Sequence, residues 1–131
     1  MFVDASAMCA AILRELDGDE IGLKIHTAAA PITSPLAIYE TVLAVARKNG
    51  AGLTAARADV AEFVAMAGIE VVGITSPEGE SALDAFERYG KGRHPARLNM
   101  GDCFAYACAR TRSLPLLFKG DDFGQTDIAV A

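Results

Sequence analysis

Cysteine is scarce in this sequence, and nothing in it suits secretion or membrane insertion. The three cysteines, Cys9, Cys103 and Cys108, are an odd set without C-x-x-C spacing. They predict neither a disulfide framework nor a zinc site, and favour reduced, mostly buried thiols. No basic and apolar leader precedes Asp4, and the longest uncharged stretch, residues 25–39, is too short for a bilayer and contains two prolines. We expect a cytoplasmic protein without a membrane segment.

Positive charge is also scarce. The 131 residues include 12 Lys and Arg against 17 Asp and Glu, which gives a formal net charge of −5. An acidic protein does not capture nucleic acid through a broad basic surface, so any such contact must be local or bridged by cations. Apolar residues make up 52% of the chain, enough for one core. We therefore expect a single domain over residues 1–131 and not a disordered chain.

Apolar patterns of strand and helix type alternate along the chain. Short apolar runs predict four strands and a fifth near the end: residues 2–3, 31–33, 69–74, 115–118 and 127–130. Helices are expected through Met8, Ile12 and Leu16 and over residues 20–29, 35–48, 54–67, 77–89 and 100–112. Their predicted N-caps include Ser34, Ser76 and Asn99. This alternation predicts an α/β fold, with a mainly parallel central sheet of four to five strands flanked by helices on both faces.

Acidic residues are expected to meet at one edge of this sheet. Asp4 and the pair Asp121-Asp122 directly follow strands, and sites in such folds lie beyond the carboxyl ends of the strands. Glu40 and Asp102 fall in the first turns of helices that could start from the same edge. Carboxylates are the ligands that Mg²⁺ prefers, and bound Mg²⁺ can activate a water and offset charge on a phosphodiester. Taken singly, each acid also has a plain interpretation as a helix-terminal or turn residue.

Four segments carry a more specific pattern. They are FVDASA at residues 2–7, SPLAIYET at 34–41, LNMGDCFAYA at 98–107, and LLFKGDDF at 116–123 followed by TDI at 126–128. In this order they resemble the PIN-domain family, and within it the VapC toxins of bacterial VapBC toxin–antitoxin pairs. The resemblance spans essentially the whole chain, and the segment around Asp102 is its most specific part.

The resemblance implies an activity and partners. It implies a single PIN-like domain that acts as a toxin endoribonuclease, in which metal-activated water cleaves RNA phosphodiester bonds. The implied cofactor is Mg²⁺, with Mn²⁺ as a possible substitute. The implied partners are a VapB-like antitoxin, which blocks the site, and a second copy of the chain in a homodimer.

The resemblance also assigns roles to residues. The catalytic, metal-binding acids carried over are Asp4, Glu40, Asp102 and Asp121. Asp122 stays open as the fourth metal ligand, because many family members have a spacing one residue longer before the Phe that is Phe123 here. Ser6 and Asn99 are implied to be hydrogen-bonding groups that orient the ligands.

The loop before the third acid concentrates positive charge. Residues 91–97 hold three cations and His94. We interpret Arg93 and Arg97 as candidate contacts to RNA phosphates, with a solvated loop as the alternative. Lys119 is a further candidate contact, or a counter-charge that limits repulsion between the acids. A role for His94 as general acid or base is the weaker idea, because metal-bound water already supplies the nucleophile.

Three other interpretations are weighed against this one. A phosphatase of the haloacid dehalogenase type needs a second Asp two residues after the first, where this chain has Ser6. A receiver module needs a phospho-accepting Asp after the third strand, where Thr75-Ser76 follows. The remaining alternative is a catalytically inactive PIN-fold binding module, against which the retention of all the acids argues.

Overall fold

Strands and helices alternate in the computed structural model, which describes residues 1–50 and 52–131. The strands are β1 (Phe2–Val3), β2 (Ile32–Thr33), β3 (Glu70–Val71) and β4 (Leu116–Leu117). The helices are α1 (Ala5–Ile12), α2 (Gly18–Thr27), α3 (Pro35–Asn49), α4 (Leu53–Met66), α5 (Ser76–Tyr89) and α6 (Met100–Thr111). A short 3-10 helix, Phe123–Gln125, follows β4.

The four strands form one parallel sheet in the order β3-β2-β1-β4. Phe2 of β1 is in register with Ile32 on one side and with Leu116 on the other. Both residues of β1 are fully buried, as a central parallel strand requires. The predicted α/β fold with a parallel sheet is therefore confirmed.

Helices cover both faces of the sheet, because successive residues of a strand point to opposite sides. Phe2 belongs to the apolar cluster that α5 and α6 build, with Tyr106 and Leu98 among its buried members. Val3 belongs to the cluster on the other face, with Met8 of α1 and Ile25 of α2. A third cluster joins α3 to α4. No helix among the described residues has the length and apolar character needed to cross a bilayer.

Local capping fixes where several helices begin and end. Ser34 accepts a hydrogen bond from the N–H of Ala37 (3.1 Å), as predicted, and Gly50 closes α3 in the left-handed region. Ser76 as an N-cap was wrong, because Thr75 caps α5 instead. The N–H of Thr75 donates to Glu78 (2.8 Å), the third helical residue, which completes a capping box. Ser76 has no acid at the matching position, since Gly79 stands there.

Three predicted elements are shorter than expected. The strand over 69–74 is only Glu70–Val71, because its single neighbour, β2, ends where Ser34 begins α3. The last strand is a single bridge between Leu116 and Val130. The first helix stops at Ile12, so that Leu16 is exposed.

The end of α1 has a clear local cause. Arg14 adopts a left-handed conformation (φ 50), and its N–H donates to the carbonyl of Ala11. The N–H of Glu15 donates to the carbonyl of Ala10 (3.0 Å). These two bonds form a Schellman motif, which ends a helix. Glycine usually occupies the left-handed position of this motif, where this chain has Arg14, so the motif could not be predicted from the sequence.

The cysteines are mostly buried, as predicted. Cys103 and Cys108 are buried in α6, Cys9 is half-buried in α1, and none of the three is in a disulfide. Burial, the largest cause, raises the pKa of the Cys103 and Cys108 thiols to about 11. Thiols in such surroundings are unreactive packing groups.

Candidate functional site

Asp4 lies where the central strand β1 passes into α1, and its side chain is buried. It is the N-cap of α1, and its Oδ2 accepts from the N–H of Ser6 (2.9 Å) and from the Ser6 hydroxyl. Burial raises the pKa of Asp4, and the two hydrogen bonds from Ser6 oppose that effect. The fold therefore holds a carboxylate at the carboxyl edge of the sheet, in a place that disfavours its charge.

Ser6 connects Asp4 to a second strand. Its hydroxyl donates to Asp4 and accepts from the backbone N–H of Lys119 (3.0 Å), which lies just after β4. The segments that follow two neighbouring strands are thus tied together at Asp4. This is where the sequence placed Ser6, as a group that orients an acid.

The sequence predicts Glu40 in the first turn of α3, but it lies in the second. Ser34 caps the helix and Pro35 is its first residue, so Glu40 is the sixth. Its side chain is half-buried. Burial, followed by the charges of Asp4 and Asp102, raises the pKa of Glu40 to about 7. The Glu40 carboxyl group lies against Gly101, the residue before Asp102 in α6, so α3 brings Glu40 to the edge that carries Asp102.

Asp102 is the third residue of α6 and shares a capping box with Asn99. The Asn99 side chain accepts from the N–H of Asp102 (3.0 Å), and Oδ2 of Asp102 accepts from the N–H of Asn99 (2.8 Å). Asn99 thus orients the Asp102 carboxylate, but through its backbone N–H. Burial is the largest cause that raises the pKa of Asp102 to about 6, with smaller contributions from the charges of Asp4 and Asp122.

Two exposed acids follow β4 in the turn before the 3-10 helix. The charge of Asp122 contributes to the raised pKa of Asp102, whereas Asp121 is not among the causes. The sequence left the fourth acid open between these two. We take Asp122 as the candidate, because its charge contributes to the raised pKa of Asp102. By the acid cluster we mean Asp4, Glu40, Asp102 and Asp122.

The acid cluster carries uncompensated negative charge. Among the described residues, no ion pair reaches Asp4, Glu40 or Asp102. The same part of the chain contains no group of three acid, His or Cys side chains arranged closely enough to hold a metal ion by themselves. The acids are therefore near enough to affect one another's pKa without forming a complete coordination shell.

Lys119 pairs away from the acid cluster. Its ammonium group lies 2.8 Å from Glu15 and 3.9 Å from Asp17, and Lys48 pairs with the same Glu15. Lys119 therefore does not act as a counter-charge to the clustered acids in this structure. What it contributes to the site is its backbone N–H, which donates to Ser6. A backbone donor cannot be recognised from the residue type, so this contact could not be predicted from the sequence.

The basic loop, residues 91–97, is closed at its base immediately before α6. The N–H of Lys91 donates to the carbonyl of Leu98 (3.0 Å), and Arg97 adopts a left-handed conformation (φ 54). The Arg93 guanidinium lies over the Phe86 ring, 5.4 Å from its centroid. His94 accepts from the N–H of Ala96 at Nδ1, and its ring packs edge-on against Tyr89. These contacts give His94 a structural role in the loop.

Asp127 lies outside the acid cluster, although it belongs to the C-terminal segment that resembles the family. It accepts from the hydroxyl of Tyr106 (2.6 Å), from Arg88 (3.1 Å) and from Arg110 (3.3 Å). The Tyr106 hydrogen bond is the first of the causes that lower the pKa of Asp127 to about 2. Its function here is to fasten the end of the chain to α5 and α6.

The sequence alone did not predict one contact in the site, which joins Gly101 to Glu40. The backbone of Gly101 lies against the carboxyl group of Glu40, so that a Cβ built at Gly101 would be 2.6 Å from Glu40 Cδ. A glycine in the first turn of a helix, next to a predicted ligand, is the signal that could have indicated it.

The sequence is similar to a known protein family and to several named proteins. The model of the family described as "PIN domain" matches residues 1–129. A VapC ribonuclease of Rhizobium meliloti is 40% identical, over 97% of this chain and 98% of the relative. Ribonuclease VapC30 of Mycobacterium tuberculosis is 33% identical, over 98% of this chain and 96% of the relative.

Solved structures show the same fold at low sequence identity. VapC20 of Mycobacterium tuberculosis, described as a Sarcin-Ricin loop cleaving toxin, superposes with a TM-score of 0.77 at 16% identity and covers 99% of this chain and 97% of its own. A toxin–antitoxin complex from Klebsiella pneumoniae gives a TM-score of 0.66 at 16% identity, over 99% and 95% of the two chains. At this identity the likeness concerns the fold alone.

The coupling between the acids predicts a pH dependence of stability. With a chelator present, Glu40→Gln should be more stable than the unsubstituted protein above pH 7, because the folded state then carries a half-buried charge at Glu40, close to the charges of Asp4 and Asp102. The difference should disappear as the pH falls below 4.5, the ordinary pKa of Glu, where Glu40 is protonated in both the folded and the unfolded state. We expect roughly 2 kcal/mol at pH 8, after allowance for partial exposure.

Urea denaturation at pH 5 and pH 8 measures this difference. Glu80→Gln, at an exposed position of α5, is the matched control and should leave the stability unchanged at both pH values. If Glu40→Gln and the unsubstituted protein have equal stability at pH 8, neither burial nor the neighbouring acids disfavour a charged Glu40, and the account of its raised pKa is wrong.

Proposed function

The chain belongs to the PIN-domain family, and we propose that it is a VapC-type toxin ribonuclease that cleaves RNA phosphodiester bonds at the acid cluster. The observation that carries the proposal is the placement of three acids from separate segments: Asp4 directly follows β1, and the Glu40 carboxyl group of α3 lies against Gly101, next to Asp102 in α6. The raised pKa values of Glu40 and Asp102, to which burial and then the charge of Asp4 contribute, agree with this placement. Relatives named VapC ribonucleases, 40% and 33% identical over nearly their whole length, support it.

We propose Mg²⁺ as the cofactor, with Mn²⁺ as a possible substitute. The donor set fits such a cation, because Asp4, Glu40 and Asp102 are buried or half-buried carboxylates that no described Lys or Arg neutralises. Mg²⁺ usually keeps several waters and needs few direct protein ligands, so a cluster short of a complete shell is compatible with it. When bound, the cation would supply a water of lowered pKa and offset charge that develops on the phosphate.

The protein's own groups hold the proposed ligands in place. Ser6 donates two hydrogen bonds to Asp4, and the N–H of Asn99 donates one to Asp102. Each bond favours the charged form of its carboxylate against the effect of burial. We assign Asp4, Glu40 and Asp102 as direct or water-mediated ligands. The fourth position goes to Asp122, with Asp121 as the alternative from the family pattern.

RNA phosphates would be positioned by the basic loop. Arg93 and Arg97 lie in the loop that leads through Asn99 into α6, the helix that carries Asp102. The chain is acidic, with a net charge of −5, so a local group of cations has to supply the attraction. Lys119 is the weaker candidate, because its ammonium already pairs with Glu15 and Asp17.

The proposed partners follow from the family. The toxin–antitoxin complex that shares the fold supports a VapB-like antitoxin as the partner of this chain. A homodimer and a cytoplasmic location stay predictions from the sequence. No specific observation favours the inactive binding module, since the acids of the cluster are present and lie at the same edge of the sheet.

A growth assay tests the proposed function. Expression without a cognate antitoxin should arrest the growth of a bacterial host, and Asp4→Asn should relieve the arrest, because it removes the most deeply buried charge of the cluster while it preserves the shape. Asp59→Asn, at an exposed position of α4, is the control that should keep the toxicity. Undiminished arrest by Asp4→Asn at an equal protein level would contradict the proposal.

The basic loop predicts a change in the salt dependence of RNA binding. Arg93→Gln combined with Arg97→Asn should weaken binding, with Asn chosen because it tolerates the left-handed backbone at Arg97. Loss of two phosphate contacts to single-stranded RNA should reduce the slope of log K against log salt by about 1.4.

This measurement uses Asp102→Asn as the common background, so that the RNA stays intact. The control replaces two exposed arginines of α3 and α4, Arg47 and Arg57, with Gln. If the loop variant keeps the slope of its parent, Arg93 and Arg97 do not contact RNA phosphates.

A further inference from the structure

Gly101 stands at a position where its backbone does not need glycine. It is the second residue of α6, between the N-terminal Met100 and Asp102, and its φ angle is not in the left-handed region that favours glycine. Alanine is the better helix former at such a position. Gly101 is also buried, so the glycine does not serve to expose the helix backbone to water. The reason for a glycine must therefore be sought in the space around it.

That space is filled by the carboxyl group of Glu40. A Cβ built at Gly101 would lie 2.6 Å from both Cδ and Oε2 of Glu40, and closer still to Oε1. Real Cβ atoms essentially never come within 3.0 Å of a heavy atom from a distant part of the chain. The three nearest atoms all belong to Glu40. The carboxyl group of Glu40 therefore occupies the volume that a side chain at position 101 would take.

The Glu40 carboxyl group is held by packing and not by hydrogen bonds among the described residues. None of the hydrogen bonds or ion pairs recorded for the described residues reaches it, in contrast to Asp4 and Asp102, which have Ser6 and Asn99. A terminal carboxyl group without a hydrogen-bonding partner depends on packing for its position. Gly101 provides this packing from the same first turn that carries Asp102.

We propose that Gly101 is a positioning residue, which admits the Glu40 carboxyl group to the acid cluster by having no side chain. Any side chain at position 101 would displace that carboxyl group from the place that it occupies beside Asp102. The catalytic consequence rests on the proposed function, but the steric coupling between positions 101 and 40 does not.

The experiment is a double-mutant cycle of Gly101→Ala and Glu40→Asp. Aspartate is one methylene shorter, which withdraws the carboxyl group from the new Cβ. Gly101→Ala should lower the rate of RNA cleavage in Mg²⁺ about a hundredfold when Glu40 is present, the loss typical of a catalytic group displaced by an ångström. In the Glu40→Asp background the same substitution should cost much less, under about tenfold.

Melting temperatures give a readout that does not depend on activity. In a chelator, the change caused by Gly101→Ala should differ between the two backgrounds by roughly 3 °C or more. Added Mg²⁺ should raise the melting temperature of the unsubstituted protein and raise that of Gly101→Ala less. Gly79→Ala in α5, where a new Cβ meets no atom within 4 Å, is the matched control and should change neither cleavage nor the Mg²⁺ effect.

The outcomes separate the two proposals. An equal loss of cleavage in both backgrounds, or no loss at all, would overturn the positioning role of Gly101. If the unsubstituted protein does not cleave RNA, the proposed function fails and the melting cycle alone decides about Gly101. Additive changes in melting temperature would then overturn the inference, whereas a difference between the backgrounds would support it.

Discussion

Repulsion between carboxylates held close together is the constraint on which the site depends. Two like charges about 4 Å apart repel by roughly 4 kcal/mol at an effective dielectric constant of 20. The raised pKa values, about 7 for Glu40 and about 6 for Asp102, are the sign of burial and of this repulsion. A fold that gathers acids without an internal cation must oppose this cost through its own rigidity. A bound divalent cation would relieve it.

The parallel sheet supplies that rigidity. Strand β1 is hydrogen-bonded on both sides and covered on both faces, so Asp4 starts from the most constrained segment of the chain. Helices α3 and α6 bring the other acids to it, one in the second turn of its helix and one inside a capping box. The segment after β4 closes the arrangement through the N–H of Lys119, which donates to Ser6. Each acid is therefore placed by an element with its own hydrogen bonds or packing.

Much of this could be predicted from the sequence, because its signals are local. The parallel sheet follows from the alternation of strand and helix patterns, and the position of Asp102 follows from the cap at Asn99. What could not be predicted depends on how distant elements meet. The pairing of Lys119 with Glu15 requires the path of the chain after α1, and the fit of Glu40 against Gly101 requires the packing of α3 on α6. The length of strand β3 was overestimated, because it depends on how far its neighbour β2 extends.

Cleavage of RNA by the purified protein is the most direct test of the claim that the gathered acids hold a metal for catalysis. A single-stranded RNA is incubated with the protein in Mg²⁺ or in an excess of EDTA, beside the Asp102→Asn variant, and the products are separated by size. The account predicts internal cleavage in Mg²⁺, its loss in EDTA with recovery when Mg²⁺ or Mn²⁺ is restored, and no cleavage by Asp102→Asn. Equal cleavage in EDTA, or full activity of Asp102→Asn, would contradict it.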